Sequence, residues 1–229
     1  MQGLVVWIVL LLSAGLAQNV AAVEKLVDEG RFQEAYEAGL RLGSAEGLVL
    51  AARAASYFAG YLANDNEKAD WFGRAEAAAR RAIQADNGDA EAYFELARAQ
   101  GRLSQYRGIL ESLGLAGSIK ENLDRTLRLN PRHAGARVAL ALWHHSLIAK
   151  NVGWLYGANS NQIMPLFSEA IRLEPQAIIH KIELAGVLAA QGRKEDARNQ
   201  YEAALTIAPR TAADRFDLER ARREMAALR

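Results

Sequence analysis

Four histidines and a scatter of carboxylates are the residues able to do chemistry in this chain: His133, His144, His145 and His180, with acids such as Glu121, Asp124, Glu169 and Glu195. A zinc hydrolase needs two histidines one helical turn apart with a glutamate beside the first, as in HExxH, and no such spacing occurs. His144 and His145 are adjacent, which on a helix points them about 100° apart, so they meet at one ion only with help from a second element. The four acids stand among Arg and Lys at helical spacing, the pattern of solvated faces with i,i+4 pairing rather than of a general acid and base. Asp86 to Glu91, DNGDAE, resembles a calcium loop superficially, because the bidentate Glu that such a loop needs is missing at the proper distance.

Nucleotide and acyl-transfer chemistry lack their parts as well. No GxGxxG, no P-loop and no GxSxG stands after a strand. The chain has no cysteine, so disulfides, thiol catalysis and thiolate metal sites are all excluded. The residues assign no catalytic group, no cofactor and no metal, and the histidines read as structural. With 28 Lys and Arg against 27 Asp and Glu the formal charge is +1, which provides no field to recruit nucleic acid. The cluster Glu219 to Glu224, ERARRE, fits an amphipathic cap better than a membrane-binding segment.

The elements that hold these residues are helices. Of 229 residues, 51% are hydrophobic, 24% are charged and four are proline, an ordered and helix-favouring composition. From Met1 through Val23 no side chain is charged, and the apolar run Leu4 to Leu12 is followed by small residues. That pattern reads as an export leader over residues 1–17, with Gly15 and Ala17 as the small residues before a cut near Gln18. An uncleaved N-terminal anchor is the alternative reading. Either places residues 19–229, a single domain, outside the cytoplasm of a bacterial-type cell.

Internal repetition organises that domain. RAIQADN, RTLRLNP, EAIRLEP and AALTIAP align Ile83, Leu127, Ile171 and Leu205 in one column, at spacings of 44, 44 and 34. Leu96-Ala97, Leu140-Ala141 and Leu184-Ala185 repeat in phase with them. Gly192 in GRKEDA and Gly30 in GRFQEA mark the turn within a helix pair, and Pro131, Pro175 and Pro209 stop the second helix. The pattern resembles the tetratricopeptide repeat family, whose unit is about 34 residues. The resemblance implies an all-α, right-handed superhelix of antiparallel helix pairs from about Asn19 to Pro209, with extended central repeats. Leu218, Ala221, Met225 and Leu228 share a face of a last helix that caps the array.

The surplus of the long units falls between the two helices of a pair. It covers Tyr57–Gly73, Gly101–Ser118 and the stretch from His144 to Gln162, and it holds eight of the 17 aromatic residues. Those rings serve either as additional core for longer helices or as the wall of a groove or cavity. RLSQYRGILESLGLAGSIKENLDRTLRLNP, with the tryptophan of LWHH and FSEAIRLEP further on, resembles the regulator-of-microtubule-dynamics family from about Ala75 to the C-terminus. That resemblance implies a non-enzymatic helical domain that binds partner proteins and, in a tether between mitochondria and endoplasmic reticulum, phospholipid.

Two functions follow as expectations. The first is an extracytoplasmic module that binds a protein partner in the groove lined by the first helices, with Tyr93, Arg137, His144 and Lys181 as contacts. The second is a carrier or sensor of an apolar small molecule such as a phospholipid, held by Trp143, Trp154, Leu155 and Tyr156. Nucleic acid is not expected as a partner, and membrane attachment is expected only through the N-terminus.

Overall fold

A computed structural model describes residues 19–106 and 109–228, with residues 109–111 described by backbone alone. The expected export leader lies outside the described residues. Among those residues the secondary structure is helical throughout, without a strand. Five antiparallel pairs follow one another: α1 (residues 19–29) with α2 (Phe32–Leu42), α3 (Ala45–Tyr61) with α4 (Asp65–Ala85), α5 (Ala90–Leu103) with α6 (Ile109–Leu129), α7 (Ala134–Ala149) with α9 (Ile163–Leu173), and α10 (Ile178–Ala190) with α11 (Lys194–Leu205). The short α8 (Gly153–Tyr156) and a 3-10 turn, Ser160–Gln162, lie between α7 and α9, and α12 (Ala212–Ala227) ends the chain. This is the helical-repeat superhelix that the columns predict.

The local signals sit where the chain turns. Gly30 and Gly192 adopt left-handed backbone at φ 84° and 78°, and in each turn the next amide, Arg31 or Arg193, bonds back to Leu26 or Leu188 at 2.9 Å. That is the helix-ending loop which glycine enters without a Cβ clash. Ser44, Asp89 and Thr211 cap α3, α5 and α12 through side-chain oxygens, and Asn64 with Glu67 forms a reciprocal box at the start of α4. Gly39 and Gly47 bring α2 and α3 into backbone contact, since a Cβ on Gly39 would stand 2.4 Å from the Gly47 carbonyl oxygen.

Small residues set the spacing of the core. Ala51, Ala52, Ala54, Ala55 and Ala59 of α3 are fully buried against neighbouring helices, which lets those helices lie close together. In the last pair Leu184, Ala185, Leu188, Ala197, Tyr201 and Ala204 are all buried, at the contact positions the repeat assigns them. Among the described residues, most of two of the three surplus segments is helix. They lengthen α3 to 17 residues and α4 and α6 to 21 each, against 12 in α11. The stretch after α7 alone folds as an insert, because Asn151 and Gly157 take left-handed backbone there and break the helix.

Candidate functional site

The last helix does more than cap the array. One face of α12 places Leu218 and Ala221 in the core of α10 and α11, with Met225 and Leu228 packed beside them, and Tyr201 donates a 2.9 Å hydrogen bond to Glu224. A second face meets the opposite end of the superhelix. Ala212 is buried with Val23, Val27 and Phe32 of the first pair. The Phe216 ring stacks on Tyr61 at 5.1 Å and 16°, and lies 6.4 Å from Phe32. A Cβ on Gly30 would come within 2.8 Å of the Ala212 Cβ. α12 therefore spans the inner wall of the superhelix, from its last pair to its first.

Polar groups fasten this contact. The Tyr61 hydroxyl donates to Asp217 at 3.1 Å, and Arg220 reaches Glu183 of α10 at 2.9 Å, with Arg102 of α5 at 3.6 Å from the same oxygen. Burial pushes the Asp217 carboxyl up to about 6, against the opposing pull of Arg220 and the Tyr61 hydroxyl. Burial acts on Glu183 in the same sense, but Arg220 and Arg102 outweigh it and hold this acid below its ordinary range. Tyr61 is pushed up by burial and then by Asp217.

Farther along the wall, α3, α5 and α7 share a second ionic group. Arg53 reaches Glu95 and Glu91 at 3.0 Å each, and Arg98 closes on the other oxygen of Glu95, whose side chain is wholly buried. Arg98 also lies over the rings of Tyr57 and Phe94, at 4.9 and 5.7 Å. His133 accepts the Ala136 amide at Nδ1, so its proton sits on Nε2, 2.9 Å from Glu91. Burial pushes Glu91 up, but His133, Arg53 and Arg98 together hold it low. His180 stays neutral, pushed down to about 4 by burial and by nearby Lys181 and His133.

The lengthened ends of the pairs join into one edge. Phe72 and Tyr106 lie 5.9 Å apart, and Tyr156 donates to the Leu113 carbonyl at 2.8 Å, so each surplus segment touches the next. Leu62, Tyr106, Ile148, Trp154 and Leu155, the large hydrophobic side chains exposed among the described residues, all lie at this edge, Trp154 at 80% and Leu155 at 52%. No three His, Asp or Glu side chains gather as a metal site among the described residues, and no described helix is long and apolar enough to cross a membrane.

The residues singled out from the sequence fall into three places. Trp143 is core, donating from Nε1 to the Ala116 carbonyl at 2.9 Å. Buried His144 accepts the Asn159 amide at 3.0 Å and pins the insert, and Tyr156 ties the insert to α6. Trp154 and Leu155, from the same insert, face solvent.

Tyr93, Arg137 and Lys181 form a column, one per first helix, in the opening turns of α5, α7 and α10. Tyr93 and Lys181 bond to the carbonyls of Asn87 and Pro175 in the turns behind them, and Nη1 of Arg137 is buried without a hydrogen-bond partner. Two positions separate Lys181 from Glu183, about 200° around a helix, so the column looks away from α12. The residues that do meet α12, namely Tyr61 and Glu183, give no signal beyond being polar or aromatic in an apolar pattern. One sign was readable: LAARA and ELARA place Arg53 and Arg98 at corresponding positions in consecutive units.

Among solved structures, a tetratricopeptide-repeat protein from Thermus thermophilus superimposes with a TM-score of 0.66 at 20% identity, over 90% of this chain and 98% of its own. The pilF protein of Pseudomonas aeruginosa does so at 0.50 and 14% identity, over 94% and 89%. No curated protein sequence matches significantly. These likenesses bear on the fold. The family model for regulator of microtubule dynamics protein 1-3 matches residues 19–156, starting well before the Ala75 from which the resemblance was legible, and the chain belongs to that family.

Proposed function

We propose that the chain is a non-enzymatic scaffold of an extracytoplasmic compartment, anchored or exported through its N-terminus, that holds a partner protein on the inner wall of its superhelix. One observation carries this reading: the wall already receives a helix, α12, through stacking, a phenol–carboxylate hydrogen bond and an ion pair. A wall that seats one amphipathic helix has the shape and polarity to seat another. The charge-free stretch from Met1 to Val23 supports the compartment. The test is to purify the protein from its own cell envelope after mild cross-linking and to identify what accompanies it. A polypeptide recovered in stoichiometric amount, and lost when Tyr61 and Glu183 are replaced by Ala, is the expected result. Recovery unaffected by those substitutions would overturn the assignment to the wall.

A second reading, a carrier or sensor of an apolar molecule such as a phospholipid, draws on the exposure of Trp154 and Leu155 at the lengthened edge. Native mass spectrometry and solvent extraction of the purified protein test it. A ligand-free mass with no lipid-dependent stabilisation would dismiss it.

A further inference from the structure

The two halves of α12 do different work. From Leu218 onward the helix completes the core of α10 and α11. Before it, the turns from Ala212 to Asp217 present a small residue, an aromatic ring and a carboxylate to the first two pairs. The seat they meet is aromatic: Phe32 packs edge-on against Tyr57 at 5.5 Å, and Tyr61 lies 5.6 Å from Tyr57. A phenol hydroxyl at its rim is the donor that a carboxylate needs. Opposite charge does not hold the carboxylate there as tightly as it holds Glu183: Asp217 accepts from neutral Tyr61, and burial dominates its protonation. The link from α11 to this half runs through exposed Ala208, Pro209 and Arg210, and it is held to α12 by the Arg210 amide donating to Asp214 at 2.8 Å, a contact within the same turns that unwinding releases.

Resting on the reading that the inner wall receives a partner, we propose that the seat of Phe32, Tyr57 and Tyr61 selects a helical segment of another protein that carries an aromatic residue followed directly by an aspartate or glutamate. The turns Ala212–Asp217 are the resident stand-in which that segment displaces. Displacement unwinds those two turns and leaves Leu218 to Met225 on the core. The seat is then closed in the free chain and opens only for a helix that matches it, because a tethered occupant competes at high local concentration. An incoming segment pays for this as a lower apparent affinity, in proportion to the fraction of chains whose seat is free.

The probe is a fluorescent peptide with the sequence of residues 209–222, titrated into the full chain and followed by anisotropy. The double variant Phe216→Ala, Asp217→Ala frees the seat and is expected to bind the peptide about tenfold more tightly than the unaltered chain. A peptide in which the same two positions are Ala is expected not to bind. Equal affinity for the two proteins, or binding of the altered peptide, would overturn the proposal. Should the double variant fail the check of helical content by circular dichroism, hydrogen exchange on the unaltered chain decides instead. Saturating peptide is expected to expose amides 212–217 and to leave 218–227 protected, and an unchanged pattern overturns the proposal. A double variant that dimerises in light scattering and thereby loses peptide binding would assign the seat to a second copy and equally overturn it. The broader reading fails separately: if no polypeptide accompanies the native protein while the peptide behaves as expected, the scaffold function falls and the seat stands.

Discussion

Tyr61 of α3 donates a 3.1 Å hydrogen bond to Asp217 of α12, joining side chains 156 positions apart at the point where the last helix meets the start of the superhelix. The acceptor is buried, so loss of its donor leaves a desolvated carboxylate short of one partner. Tyr61→Phe is expected to lower stability by about 1–3 kcal/mol and to raise the protonation point of Asp217 further, because the Tyr61 hydroxyl now pulls it down. Urea denaturation checks the first effect, and an unchanged midpoint contradicts it.

The docking of α12 is expected to weaken with rising pH. Asp217 titrates near 6 when docked and near 3.8 when free, so the docked form holds the proton more tightly. Its contribution is fully present below the free value and is lost as pH rises through the docked one, by about 3 kcal/mol at most. The groups facing it are Tyr61, Arg220, Glu183 and Asp214. His180 acts in the opposite sense, since a histidine held neutral at about 4 supports the fold above 6.5 and ceases to as pH falls through 4. A global melt blends the two, so the measurement is local: exchange of amides 212–217 between pH 5 and 7, corrected for intrinsic rates. Protection should drop over that interval, and Asp217→Asn should remove the drop.

Glu95 is wholly buried between Arg53 and Arg98. Glu95→Ala leaves two guanidinium groups in the wall without their shared carboxylate, expected to cost about 3–5 kcal/mol. Calorimetric melting checks this. A shift no larger than that of an exposed pair such as Arg74 with Asp70 would show that solvent reaches the group.

Two tryptophans of one region are expected to separate cleanly. Trp143→Ala removes a buried ring and a donor to the Ala116 carbonyl, at about 3–5 kcal/mol. Trp154→Ala, at a ring 80% exposed, should stay within about 0.5 kcal/mol. Chemical denaturation of both variants is sufficient. A large loss from Trp154→Ala would place that ring in packing and remove the ground for a ligand-facing role.

The sequence made the helix pairs legible because glycine, proline and paired Leu-Ala columns act locally, and their structural expression at Gly30, Gly192 and Pro131 matches them. It also located the surplus residues, but not their form, since a run such as Tyr57 to Gly73 is taken up by lengthened helices on either side of a turn at residues 62–64, and no local signal distinguishes that from a loop. The contact of α12 with the first pair was hidden for another reason. Ala212, Phe216 and Asp217 make a second stripe whose partners lie across the whole superhelix, and periodicity reports which face is buried, never against what. The apolar stripe of Leu218, Ala221 and Met225 masked it. The column of Tyr93, Arg137 and Lys181 was found by register alone, and register does not distinguish the inner from the outer side of a helix.

The closure of the superhelix by its last helix can be measured directly, because the chain has no cysteine and two can be added at will. Spin labels at Gly60→Cys and Arg215→Cys, both exposed positions, report the separation of α3 from the first turns of α12 by double electron–electron resonance. The account predicts one short, narrow distance distribution in the free chain that broadens and lengthens in the Phe216→Ala, Asp217→Ala background. A broad or long distribution in the unaltered chain would contradict it.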